Sequence, residues 1–165
     1  VKTMPKVALI MGSKSDWPSL RGCVDVLKKF EIEVEVHVAS AHRTPETVAA
    51  FAANARENGF EVIIAAAGKA AHLAGVIAGH TTLPVIGIPV KSSFMDGLDS
   101  LLSTVQMPTG IPVATVAVGG GDNAAYLAAQ MLSIKYPILA EKLLAHREQM
   151  AAAIEADDRQ IQDEV

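Results

Sequence analysis

The hexapeptide Ser40-Ala41-His42-Arg43-Thr44-Pro45 sets an imidazole, a fixed cation and hydroxyls side by side. An imidazole exchanges protons near neutral pH. A guanidinium next to it can grip a phosphate or carboxylate through two N–H groups at once. Residues 34–39 before this stretch are rich in β-formers, and those after it carry apolar residues at helical spacing, which predicts a strand-to-helix turn. Thr44 suits the N-cap of that helix and Pro45 its first position. A solvated His-Arg pair at an ordinary cap would show the same six residues, so the other turns must decide between the readings.

Two more turns carry polar side chains after an apolar run. Gly12-Ser13-Lys14-Ser15-Asp16 follows the buried run 7–11 and precedes Trp17, Leu20, Val24 and Leu27 at helical spacing, so it delivers a glycine and two hydroxyls to a helix N-terminus. Anions bind at such places. Neither the Walker pattern nor the dinucleotide glycine fingerprint is present, which removes support for ATP and NAD. Asp16 has two readings, a helix N-cap or an acceptor for sugar hydroxyls. The third turn, Gly68-Lys69-Ala70-Ala71-His72, follows the run 62–66, and its small residues let a ligand approach the backbone. His72 either faces a substrate or is satisfied in the core. His37 and His80 read as structural and Lys91 as solvated. The run Gly119-Gly120-Gly121-Asp122-Asn123 is either a backbone cradle or a flexible turn.

These turns must be held by elements of regular structure. Strands are predicted over 7–11, 33–39, 62–66, 84–90 and 111–118. Helices are predicted from 17, over 45–57, to about 79, over 98–105 and to about 133. Five alternations of strand and helix predict a three-layer α/β/α doubly wound parallel five-stranded sheet, flavodoxin/Rossmann-like, with an extra C-terminal helix. That last helix, about 137–157, would present Leu139, Leu143, Met150 and Ile154 on one face. All three polar turns then follow strands and share one edge of the sheet, where ligands of such folds bind.

The whole chain agrees. Its 165 residues read as a single domain (1–165) with a core over about 6–133, and half of them are apolar. A net charge of −4 without any Lys/Arg block argues for no nucleic-acid partner and no anionic membrane surface. The two stretches without charged residues, 70–90 and 100–121, are broken by His72, His80, Pro84, Pro108, Gly110 and Pro112, and are not read as membrane spans. Residues 1–5 read as a short lead without a signal-peptide pattern. Cys23 is the only cysteine, so an internal disulfide is ruled out, and a cytoplasmic setting fits. Inside a helical pattern, Cys23 reads as a packed apolar residue.

With these turns assembled, the sequence resembles the PurE family, the N5-carboxyaminoimidazole ribonucleotide mutases of bacterial purine biosynthesis. The match covers about 7–133. It rests on MGSKSDW at 11–17, SAHRTP at 40–45, AAHL at 70–73, LPVIGIPV at 83–90 and DSLLSTVQMP at 99–108. The resemblance implies an isomerase that moves a carboxylate from N5 of the aminoimidazole ribonucleotide to ring carbon C4 through CO2. It implies no ATP, no cofactor and no metal. His42 matches the catalytic acid/base. Ser13, Asp16 and Arg43 match positions that hold the ribonucleotide, with Ser15 and Ser40 assisting, while Gly68 and His72 line the pocket for CO2. A homo-octamer is also implied. The CO2-dependent aminoimidazole ribonucleotide carboxylase branch of the family typically has Arg-Ser-Asn where this chain has 68–72, which favours the mutase branch. A flavodoxin-like nucleotide-binding module is the non-enzyme alternative. Three features depart from the family pattern: Lys69 in place of glycine, Ala74 in place of proline, and a 119–123 loop about two residues short. Lys69 either adds a cation beside the substrate carboxylate or points to solvent.

Overall fold

The computed structural model describes residues 4–165, so the lead predicted over 1–5 lies largely outside the described residues. Five strands, β1 (Lys6–Met11), β2 (Glu33–Val38), β3 (Val62–Ala67), β4 (Val85–Pro89) and β5 (Ala114–Thr115), form one parallel sheet in the order β2-β1-β3-β4-β5. Parallel neighbours need crossover helices, and these cover both faces. Past Lys6 at the start of β1, the interior strands are therefore apolar at successive positions rather than at every second one. In β1, Val7 through Met11 are all buried.

Odd and even side chains feed two separate cores. On one face, Leu9 and Ile64, which are register partners, pack with Ile86 against α1 (Trp17–Lys29) and α5 (Gly121–Ser133). On the other, Ala8, Ile10, Ile63 and Ala65 pack against α2 (Pro45–Asn54) and α3 (Leu73–His80). A short helix α4 (Leu98–Val105) rides on the backbone of β4. A methyl at Gly87 would lie 2.4 Å from Thr104 Cγ2, so only glycine admits that approach.

Three boundaries differ from expectation. The fifth strand pairs over two residues, Ala114–Thr115, rather than 111–118, and its start is delayed because Pro112 has no N–H to give an edge ladder. Beyond the ladder it stays beside β4 through Val116 N–H donating to the Gly87 carbonyl at 3.1 Å and Gly119 N–H to the Pro89 carbonyl at 2.8 Å. Helix α2 ends at Asn54, three residues short of 57, and the chain then turns through Gly59 at φ 88°. The final helix, α6 (Pro137–Glu164), passes the expected end near 157, since no glycine or proline interrupts good helix formers there. Its start is anchored by buried Leu139, by the Tyr136 hydroxyl donating to Glu61 and by a Lys142–Glu31 ion pair, and His146 stacks on Tyr126. From residue 147 onward every side chain is exposed, Met150 and Ile154 included, so only the Leu139–Leu143 half of the predicted face is packed within the chain.

Cys23 is buried between α1 and α5, and burial, reinforced by the negative charge of Asp122, pushes its thiol up to about 12. The thiol is thus neutral at pH 7 and a poor nucleophile. Native protein is expected to resist alkylation by iodoacetamide and to react once denatured. Because the folded value lies above the ordinary 9.0, the folded state binds this proton more tightly. That contribution to stability is complete below pH 9 and is lost as pH rises toward 12. Rapid labelling of the native chain would contradict this.

Candidate active site

The carboxyl ends of β1, β2, β3 and β4 open on one edge of the sheet, and their loops enclose a cavity of about 660 Å³. This is a common size for a small-ligand site. It lies where the strand order reverses around β1 and β3, the place a doubly wound sheet leaves a crevice. Every site residue expected from the sequence lines it: Ser13, Ser15 and Asp16 after β1, Ser40, His42 and Arg43 after β2, Gly68 and His72 after β3. His37 and His80 do not. Neither does the 119–123 glycine run, which forms a tight turn in which Gly120 N–H donates to the Ala117 carbonyl at 2.8 Å.

The β1 loop is a single 3-10 turn, Lys14–Asp16. The Ser13 hydroxyl accepts from Ser15 N–H at 3.3 Å and lies 2.9 Å from the Ser15 hydroxyl. Asp16 sits at the α1 N-cap position, but its carboxylate makes no capping hydrogen bond, so the cap reading of Asp16 is corrected. Burial raises its pKa above the ordinary 3.8, opposed by a backbone hydrogen bond at Ser13. The raised value means that Asp16 favours the fold when protonated, and this contribution fades as pH rises above 3.8. A hydroxyl donated by a ligand would compensate the half-buried carboxylate at neutral pH.

The β2 loop is knotted on Ser40. Thr44 does not cap α2 through its side chain, contrary to expectation. Its hydroxyl turns back, accepting from Ser40 N–H at 2.9 Å and donating to the Ser40 carbonyl at 3.1 Å. The knot rigidifies the backbone beneath His42. Arg43 crosses to the neighbouring loop. Its Nη2 donates to the Gly12 carbonyl at 3.0 Å and its Nε to Ser40 Oγ at 3.4 Å. A guanidinium has five N–H donors, so most remain for an anion while the group is held in place.

His42 and His72, thirty residues apart in sequence, meet across the cavity. His42 Nε2 lies 2.8 Å from His72 Nδ1, with the rings edge to face at 4.9 Å. One of these nitrogens donates and the other accepts, so the second ring fixes the tautomer of the first. The outer nitrogen of each ring has no protein partner among the described residues. Such a pair can take a proton from a ligand atom and return it to another.

Residues 6–153 match the family described as AIR carboxylase. A Saccharolobus solfataricus protein named N5-carboxyaminoimidazole ribonucleotide mutase is 58% identical over 147 residues, covering 89% of this chain and 93% of its own. The chain belongs to the AIR carboxylase family. A Mycobacterium tuberculosis relative of the same mutase name is 51% identical over 158 residues, 96% of this chain and 91% of its own. The solved Treponema denticola PurE superposes with a TM-score of 0.85 at 30% identity, covering 94% of this chain and 98% of that one. The three-layer fold and the family resemblance read from the motifs are therefore correct.

For an AIR carboxylase family member, the cavity wall also shows what sequence reasoning passed over. Lys91, Ser92 and Ser93 line it at its rim, where the Lys91 side chain stays 71% exposed, in keeping with its solvated reading from sequence. Their signal was position: they follow a buried strand on the same edge as the other three loops. Ser92 Oγ donates to Asp99 Oδ1 at 3.0 Å, and Ser100 Oγ donates to the Val90 carbonyl at 2.8 Å, so α4 holds this fourth wall.

Proposed function

We propose that this chain is an N5-carboxyaminoimidazole ribonucleotide mutase, an isomerase that converts its substrate to 4-carboxy-5-aminoimidazole ribonucleotide in de novo purine synthesis. The observation that carries the reading is the His42–His72 contact of 2.8 Å in the same cavity as Arg43 and Ser13. His42 gives a proton to N5 as the N–C bond breaks and CO2 leaves. C4 then bonds to CO2, and the proton lost from C4 returns to His42. Atoms, charge and the catalyst's proton are all restored after one cycle, so ATP is not consumed. Gly68 and His72 wall the space in which CO2 is held. Arg43 and Ser13 take the phosphate, Asp16 the ribose hydroxyls, and Ser15 and Ser40 support them.

The deciding experiment gives purified protein N5-carboxyaminoimidazole ribonucleotide without ATP or added bicarbonate and follows the C4-carboxylated product. Prompt conversion is expected. Product formed only from aminoimidazole ribonucleotide plus CO2 would instead assign the carboxylase reaction. Silence in both would leave a flavodoxin-like binding module. Against that last reading, among the described residues the only rings lining the cavity are the two imidazoles, with no Phe, Tyr or Trp to stack a flavin.

Arg43→Ala is expected to weaken ribonucleotide binding by about 1.5–3 kcal/mol, the worth of a charge-assisted hydrogen bond. Calorimetry with the ribonucleotide and with its unphosphorylated nucleoside reads this, since only the former should lose affinity. Unchanged ribonucleotide affinity would remove Arg43 from the phosphate site.

The functional unit we infer is a cytoplasmic homo-octamer of single-domain chains. Its support is the apolar surface left bare on one chain: Phe94 at 63% exposure beside Leu98, Leu102 and Val105, and Ile154 at 68% on the free half of α6. Monomeric soluble chains seldom leave such patches open. Light scattering should show a particle eight times the mass of one chain, and a monomer at micromolar concentration would exclude it.

A further inference from the structure

Lys69 lines the active-site cavity with its backbone at φ 55°, a left-handed conformation that costs a lysine strain and a glycine nothing. Among the described residues it is one of four charged side chains in the wall, with Asp16, Arg43 and Lys91. Arg43 is already bonded to Gly12 and Ser40, and Lys91 lies 3.5 Å from Asp96 Oδ1. Among the described residues, no carboxylate lies within ion-pair distance of Lys69. Of the wall's cations among the described residues, Lys69 is the one with neither an ion pair nor a hydrogen bond to another part of the wall. It also stands three residues before His72 on the β3 loop, at the proton-transfer end, whereas Arg43 reaches toward the β1 loop.

Resting on the mutase reading, we propose that Lys69 recognises the migrating carboxylate and sets the preference for the carboxylated ribonucleotide over the bare one. The carboxylate is charged in substrate and in product but becomes neutral CO2 between them. A cation facing it therefore stabilises both ends more than the middle. Its removal should raise KM rather than lower kcat.

The test compares the unaltered chain with Lys69→Met, which deletes the charge while keeping the backbone strain, and Lys69→Gly, which deletes both. Both variants are expected to lose about tenfold in KM and affinity for the carboxylated ribonucleotide, the span of one exposed charge-assisted contact. Affinity for aminoimidazole ribonucleotide, which has no carboxylate, should move less than twofold. Only Lys69→Gly should raise the thermal midpoint. Equal loss for both ligands, or a fall in kcat at constant KM, overturns the assignment. Binding of both ribonucleotides with unaltered discrimination overturns it alone, whereas no binding of either by the unaltered chain overturns the mutase reading and this one with it.

Discussion

His42→Asn is expected to lower turnover by at least about a thousandfold while leaving ribonucleotide affinity within about twofold. Asparagine keeps a short polar side chain at the contact with His72 but cannot carry a proton. Each general acid/base step is worth about 10²–10⁴ in rate, and the proposed cycle needs two, both through the same ring. The loss should appear in kcat, because no part of the proposed phosphate grip is touched: Arg43 Nη2 remains 3.0 Å from the Gly12 carbonyl, and the Ser40–Thr44 knot is formed by backbone and hydroxyl groups alone. Single-turnover kinetics with calorimetry separates the two quantities. Turnover within tenfold of the unaltered chain would transfer the acid/base role elsewhere, and His72, the other imidazole lining the cavity among the described residues, would be its successor.

Ile64→Ala is expected to cost about 3–5 kcal/mol of stability, a large share of the 5–15 kcal/mol that holds an ordinary domain together. Ile64 is fully buried at the middle of β3, the central strand, paired in register with Leu9 of β1 and Ile86 of β4. Its side chain points into the core beneath α1 and α5, where Ala124 and Ala128 are also fully buried. These short side chains have nothing with which to fill the space, so the lost methyls leave a cavity rather than a collapsed wall. Denaturant titration at fixed protein concentration measures the change. Ile64→Val should cost only about 1 kcal/mol. A loss below about 1 kcal/mol for alanine would mean that the two faces of the sheet repack freely.

Much of this molecule is legible from its sequence for a local reason. A strand buried on both faces is apolar without interruption, as in 7–11 and 62–66, and a helix begins where the apolar spacing changes after a polar turn. Alternation of the two then leaves little choice but a doubly wound sheet, and the polar turns after its strands fall on one edge. Residue types within those turns offer an imidazole suited to proton transfer and a guanidinium suited to an anion, and the ordered motifs identify the family.

Distances between loops are a different matter, because they depend on strand order and register. That His42 meets His72 at 2.8 Å requires β2 and β3 to flank β1, and the bond from Arg43 to Gly12 requires β2 to lie beside β1. Conformation within a loop is likewise set by tertiary contacts: the Thr44 hydroxyl turned back to Ser40 instead of capping, and Lys69 stands at φ 55°. Boundaries went the same way, since Pro112 delays the start of ladder pairing in β5 while α6 runs on to Glu164 with every residue from 147 onward exposed. The pattern of residues determined which elements exist and what chemistry their ends carry. Packing of the sheet decided which of those ends touch, because side chains far apart in sequence are brought within hydrogen-bond reach only by the neighbours their strands acquire.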